Sequence, residues 1–150
     1  MFARIFVAIS DFRESQSVLD MVKDLATDGL SEIHVVHFRL RELSGYLWYS
    51  RESPKDADFQ ADAAVFDLRM AGLAAGAEVR YAFVDRVAEA ICQEAALFGA
   101  DLIVIGSPRR NELHARVMGS VCQRVIHRAS CAVVVAPRVR GRVPLHAEIA

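Results

Sequence analysis

Residues 99–138 read GADLIVIGSPRRNELHARVMGSVCQRVIHRASCAVVVAPR. Leu102 to Ile105 is an unbroken apolar run between Asp101 and Gly106, and Ala132 to Ala136 is a second, valine-rich and stopped by Pro137. Short runs without polar alternation suit strands buried on both faces of a parallel sheet. Between them Val117, Val121, Val125 and Ile126 recur at helical spacing, with Gly119-Ser120 at the helix entry. Parallel strands need a crossover, so the stretch predicts a βαβ unit with an extended loop ahead of its helix.

That loop matters chemically. The first backbone N–H groups of a helix have no intrahelical partner, and the helix dipole adds partial positive charge there, so anions bind at such ends. Gly119 would let a phosphate approach the backbone. Ser120 would donate its hydroxyl to that phosphate or cap the helix.

Working back from this unit, Arg86 to Phe98 reads as a helix with Val87, Ile91, Ala95 and Phe98 inward and Gly99 as its stop. Glu78 to Val84 reads as a strand. Asp56 to Gly72 reads as a helix with Phe59, Ala63, Phe66 and Met70 on one face. From Arg39 to Lys55, RLRELSGYLWYSRESPK, no period holds. Long irregular stretches in compact domains carry function or move. Tyr46, Trp48 and Tyr49 are candidates for packing on the core or meeting a protein partner, with stacking on a base as the alternative. Glu32 to Phe38 reads as a strand whose His34 and His37 face opposite ways and so do not share a metal. The chain starts with a strand, Arg4 to Ile9, and a helix carrying Val18, Leu19, Val22, Leu25 and Ala26 on one face. Strands and helices alternate throughout. The fold class is α/β: one domain with a doubly wound, five-stranded parallel sheet and helices on both faces, in which ligands collect at the carboxyl ends of the strands.

With these elements placed, the chain resembles the universal stress protein (UspA-like) family from Phe2 to Pro137. That family's pattern of Gly, two residues, Gly, nine residues, Gly and Ser or Thr is met by Gly106 and by Gly119-Ser120 at the same total spacing. Arg109, after Pro108, stands where the middle Gly would be. The run His127, Ala129, Cys131 before the valine strand is similar to the family's close, with Ala132 in place of its usual Pro. The resemblance implies strand order 3-2-1-4-5, an adenine-nucleotide alpha-hydrolase-like fold, and ATP held by its ribose and phosphates. It also implies a homodimer paired through the last strand, Ala132 to Ala136. The family places an Asp directly after the first strand; here that position is Ser10, with Asp11 one residue late, and a one-residue shift in an extended segment turns a side chain away. Ser15 matches the family's helix-entry serine and is expected as an N-cap. The family's Gly-x-Pro before the third helix is replaced by Asp85, Arg86 and Val87. The cofactor-binding residues carried over are Ser10, Asp11, Val36, Gly106, Ser107, Arg109, Gly119, Ser120 and Val121.

Composition bounds the rest. One hundred and fifty residues with 53% hydrophobic content make one well-buried domain. A net charge of −1 argues against a generic nucleic-acid binder. Residues 101–150 carry eight arginines against Asp101, Glu112 and Glu148, so that part is +5 and the first hundred residues −6. The domain is expected over 1–137 and an arginine-rich tail over 138–150. No segment has the roughly twenty apolar residues of a membrane span, and no signal-peptide plan opens the chain, so a cytoplasmic protein without membrane contact is expected. Cys92, Cys122 and Cys131 lack CxxC spacing and read as buried thiols, and no metal site is expected.

No HExxH, GxxxxGK[ST] or first-strand GxGxxG is present, and no Ser/His/Asp set. A phosphotransfer receiver would need an acidic pair after the first strand and a Lys ending the fifth; the chain has Asp11, Asp85 and no matching Lys. No catalytic residue is assigned, and any enzymatic activity would be at most slow ATP hydrolysis. Two readings stand: a stress-response homodimer acting as a regulatory or interaction module with a degraded ATP site, or an ATP-binding stress protein in which Arg109, Arg110 or Arg116 compensates for the altered loop.

Overall fold

The computed structural model of the chain describes residues 1–10, 12–107 and 119–137. Among these residues six strands, four α-helices and one 3-10 turn (Val84–Arg86) follow one another. The strands and α-helices are β1 (Arg4–Ile9), α1 (Phe12–Leu25), β2 (Glu32–Ser44), β3 (Leu47–Tyr49), α2 (Pro54–Met70), β4 (Ala74–Phe83), α3 (Val87–Phe98), β5 (Leu102–Gly106), α4 (Ser120–Arg128) and β6 (Ala132–Ala136). Five strands run parallel in the spatial order β4-β2-β1-β5-β6, which is 3-2-1-4-5 when the parallel strands alone are counted. The sixth, β3, turns back antiparallel on the end of β2.

Alternate side chains of each strand enter different layers. Ile5, Val7, Ile33, Val35, Leu102 and Val104 pack under α1 and α2, while Phe6, Ala8, Val36, Phe38, Ile103 and Ile105 pack under α3 and α4. At the opposite end from the cleft described below, the Asp101 carboxylate accepts the backbone N–H groups of Ala3 and Arg4 at 2.8 and 3.0 Å, fixing β1 beside β5. Helix ends follow local chemistry. Ser53 caps α2, accepting the Asp56 N–H at 3.1 Å, with Pro54 in the first turn where its missing N–H costs nothing. Gly99 closes α3 at φ +74°, as expected.

Three expectations are corrected. The sheet has six strands, because Arg39 to Lys55 is not irregular: β2 continues to Ser44 and a hairpin brings Leu47–Tyr49 back, with Ser44 opposite Leu47. Gly45 takes φ +62° and Tyr46 does not take positive φ, the pattern of a two-residue II′ turn. The strand expected at Glu78 to Val84 starts four residues earlier, at Ala74, because its whole length pairs with β2 from Glu32 to Arg41. Finally, α2 buries Ala57, Ala61, Ala64, Val65 and Leu68 and turns Phe59, Phe66 and Met70 outward.

No helix among the described residues is long and apolar enough to cross a membrane. The tail over 138–150 lies outside the described residues.

Candidate functional site

Between β1 and β5 the strand order reverses: the chain winds from β1 out to β2 and β4, then returns to β5 and β6. In such sheets the loops diverge at the carboxyl ends on either side of this point and leave a crevice. The crevice here is a cavity of about 350 Å³, within the size range of small-molecule sites. Its polar end is formed by Ser10 after β1, Gly106 at the end of β5 and Ser107 after it, and Gly119 and Ser120 at the start of α4. Its apolar wall is Phe38 and Leu40 of β2, with Val84, Val87 and Ile91 across from them.

The start of α4 is open to a ligand. Gly119 is the N-cap residue and no side chain among the described residues caps the helix, so the first-turn amides have no acceptor there. Ser120 is the first helical residue and exposed, so its hydroxyl does not serve as the cap. Cys122 holds this turn to β5 by donating its thiol to the Gly106 carbonyl at 3.4 Å. Ser107 donates both its N–H, at 3.2 Å, and its hydroxyl, at 2.6 Å, to the Ala136 carbonyl, which ties the end of β5 to β6 and leaves that hydroxyl's proton committed. From the far side, Arg124 of α4 donates to the Asp85 carbonyl at 2.9 Å and pairs with Glu89. The Arg124 hydrogen bond holds the Glu89 carboxyl below its ordinary range. That clamp fixes α4 against the turn carrying Val84.

Of the residues singled out from sequence, Ser10, Gly106, Ser107, Gly119, Ser120 and Val121 all face this one cavity. Asp11 and Arg109 lie outside the described residues. Val36 does not reach the cavity. It is fully buried beside Ala8, and the wall begins two positions further along the same face of β2, at Phe38 and Leu40. The alternation of positions 36, 38 and 40 is the sequence signal for that wall, and Leu40 lies beyond Phe38, where the sequence pattern ends the strand. Ser15 is the fourth residue of α1 rather than its N-cap, is nearly fully buried, and borders a smaller side pocket of about 60 Å³ together with Ser10 and Ser107.

Other polar groups have structural partners. His37 is fully buried with its Nε2 2.6 Å from the Glu52 carboxylate, while His34 on the other face stacks on Phe98 at 5.1 Å between ring centres. Cys122 is buried, whereas Cys92 and Cys131 are half-buried rather than fully so. Burial pushes all three thiols up from their ordinary range, so they are poor nucleophiles at neutral pH. Among the described residues no group of three His, Cys, Asp or Glu side chains is placed to hold a metal ion.

The model of the Universal stress protein family matches residues 1–137. The chain belongs to the universal stress protein family. Solved structures of similar fold include a universal stress protein family member from Burkholderia pseudomallei, at 22% identity and TM-score 0.68, covering 91% of this chain and 96% of that one. Universal stress protein UspA from Lactobacillus plantarum matches at 18% identity and TM-score 0.67, covering 89% and 97%. A universal stress protein from Archaeoglobus fulgidus, solved in complex with dAMP, matches at 22% identity and TM-score 0.63, covering 88% and 95%. No curated protein matches the chain.

Proposed function

We propose that this universal stress protein is a homodimeric, cytoplasmic regulatory module whose cleft binds adenine nucleotide only weakly. One observation carries the reading: among the described residues the cleft has the size and the uncapped helix start of a nucleotide site but no charged side chain on its wall. A purine would lie against Phe38, Leu40 and Val87, with phosphates at Gly119-Ser120. Ser10 then offers a hydroxyl where the family's carboxylate meets the nucleotide, and among the described residues the groups facing the phosphates are amides and hydroxyls. Charge-assisted hydrogen bonds are roughly twice as strong as neutral ones, so a Ser10 hydroxyl in place of the family's carboxylate lowers affinity rather than changing the ligand. The A. fulgidus relative in complex with dAMP, and another universal stress protein in complex with cAMP, support an adenine ligand.

Dimerisation through β6 is supported by its position. Among the described residues it pairs with β5 alone, and Val133, Val134 and Val135 are half-buried along its other edge, which proteins protect by pairing or cover. Loss of a concentration-dependent dimer on Val134→Lys in sedimentation would support that contact; a monomer at all concentrations in the unaltered protein would remove it.

The nucleotide test is titration calorimetry with ATP. The unaltered chain should bind with Kd of about 1 mM, and Ser10→Asp should tighten it about tenfold, a change of about 1.4 kcal/mol. Gly119→Val should abolish binding in both backgrounds. Micromolar binding by the unaltered chain would instead favour the fully ATP-binding reading, and no heat from either the unaltered chain or Ser10→Asp would exclude the cleft as a nucleotide site.

A further inference from the structure

Past His37, β2 has no β1 beside it, since β1 ends at Ile9 in register with His37. β2 runs on to Ser44, β4 accompanies it to Phe83, opposite Arg41, and β3 folds back on residues 42–44. The result is an arm that extends beyond the end of β1.

The arm's side chains are ordered along its axis. Its tip, Leu43 to Ser50, has eight consecutive uncharged residues. Tyr46 at the turn is fully exposed, Leu47 is 76% exposed and Trp48 55%. Leu43 pairs with Trp48 and Ser44 with Leu47, so Leu43 and Trp48 share one face while Leu47 stands on the other. The tip is thus apolar on both faces and at its end. Behind it comes a belt of exposed rings, Tyr49, Tyr81 and Phe83, with Phe83 against Trp48 at 4.7 Å. Level with the belt stand guanidinium groups: Arg39 and Arg41 over the Tyr81 ring at 5.3 and 4.8 Å, and the exposed Arg51.

The carboxylates of the arm are engaged within it. Glu42 accepts the Tyr49 hydroxyl at 2.8 Å and pairs with Arg51 at 3.4 Å, and Glu52 is on His37. Arg41 has no carboxylate partner among the described residues. A protein-binding patch is arranged radially on one face, an apolar centre inside a polar rim. This arm is arranged axially: a tip apolar on both faces, then a band in which exposed rings and guanidinium groups stand at the same level, Arg39 opposite Tyr81 and Arg41 opposite Phe83, which is the order of a bilayer from acyl chains to an interface where aromatic rings and basic groups meet the headgroup phosphates. A nucleic-acid platform would offer open ring faces, yet arginines cover Tyr81 and Trp48 meets Phe83 at a tilt of 53°.

We propose that this arm is a peripheral membrane anchor: Leu43, Tyr46, Leu47 and Trp48 enter the interface of an anionic bilayer, and Arg39 and Arg41 meet its headgroups. The expectation of no membrane contact rested on the lack of a spanning segment, and a surface contact needs none.

Trp48 is the one tryptophan in the chain, so its emission reports on the tip directly. The intact protein is mixed with vesicles of phosphatidylcholine alone and of phosphatidylcholine with phosphatidylglycerol, and emission and co-sedimentation are followed. Blue-shifted emission and co-sedimentation with the phosphatidylglycerol vesicles, weaker with phosphatidylcholine alone, are expected. Leu47→Asp, with an unchanged melting temperature because that side chain is exposed, should lose both signals. Arg41→Gln should weaken binding about fivefold, the worth of one basic residue near an anionic surface. Equal binding by Leu47→Asp, or no co-sedimentation with either vesicle, would overturn the proposal. So would a blue shift that grows with protein concentration without lipid, which would mean that a second copy covers the tip, or a Trp48 response to an oligothymidylate in place of vesicles.

Discussion

Helices α1 and α2 lie side by side on the same face of the sheet, yet they meet it in opposite ways. α1 buries its branched side chains Val18, Leu19 and Val22. α2 buries alanines and Leu68 and presents Phe59, Phe66 and Met70 to the outside at 70%, 67% and 72% exposure. At about 100° per residue, the stripe of Ala57, Ala61, Ala64 and Leu68 is on the opposite side of the helix from Phe59, Ala63, Phe66 and Met70. Aspartates 56, 58, 62 and 67 and Arg69 fill the flanks between them. The helix therefore has two apolar faces of the same period, and bulk alone ranks them wrongly. The sheet decides: α2 covers β2 and β4, where Ala75 and Ala77 of β4 are small, and a helix face of alanines comes close to such a surface while Leu68 fills the remaining space.

The sharpest way to break this comparison is to truncate one residue from each face of α2. Leu68→Ala should cost about 2–5 kcal/mol, the loss expected when a fully buried leucine leaves a cavity. Phe66→Ala should stay within about 0.5 kcal/mol, as for exposed positions. Chemical denaturation of the two variants measures both. A loss above about 1 kcal/mol for Phe66→Ala would mean that the outward stripe is covered in solution. A smaller effect follows from adding volume instead. Ala64→Leu should cost about 1–3 kcal/mol by overpacking the helix–sheet contact, whereas Ala63→Leu, on the outward side, should be close to neutral. If the two tolerate leucine equally, the close approach of α2 to the sheet is not what selects its face.

The same physics explains what could be read from residues alone and what could not. β1, β5 and β6 are unbroken apolar runs, and nothing competes with reading them as interior strands. The turn at Gly119-Ser120 was legible because helix starts use a small set of residues, and six of the nine proposed binding positions face one cavity. The arm was missed because its strand alternates Arg39, Arg41 and Leu43 with Leu40, Glu42 and Ser44, which gives no apolar face to detect. Its one local signal, Gly45-Tyr46 between pairable segments, marks a II′ hairpin only when the partner strand is recognised. Val36 was misplaced for a related reason. The wall of the cleft depends on how far β2 outruns β1, a tertiary fact that no local pattern contains.

The smallest effect joins the two helices directly. Lys23 of α1 lies 2.6 Å from Asp67 of α2 and 3.6 Å from Asp20. Partial burial opposes its charge, but the two carboxylates outweigh that and hold the ammonium above its ordinary value near 10.5. A raised folded pKa means that the pair stabilises the protein fully below about pH 10 and that this contribution disappears as pH rises through the folded value. Because Asp67 is more than a third exposed, the contribution should be under about 1 kcal/mol. A double-mutant cycle of Lys23→Met and Asp67→Asn, followed by denaturation at about pH 8 and about pH 11.5, should give a coupling at the lower pH that weakens at the higher. A coupling undiminished at the higher pH would mean that the two helices are joined there by packing of the lysine stem. The contrast between α1 and α2 would then rest on apolar contact alone, with charge serving only to keep their flanks in water.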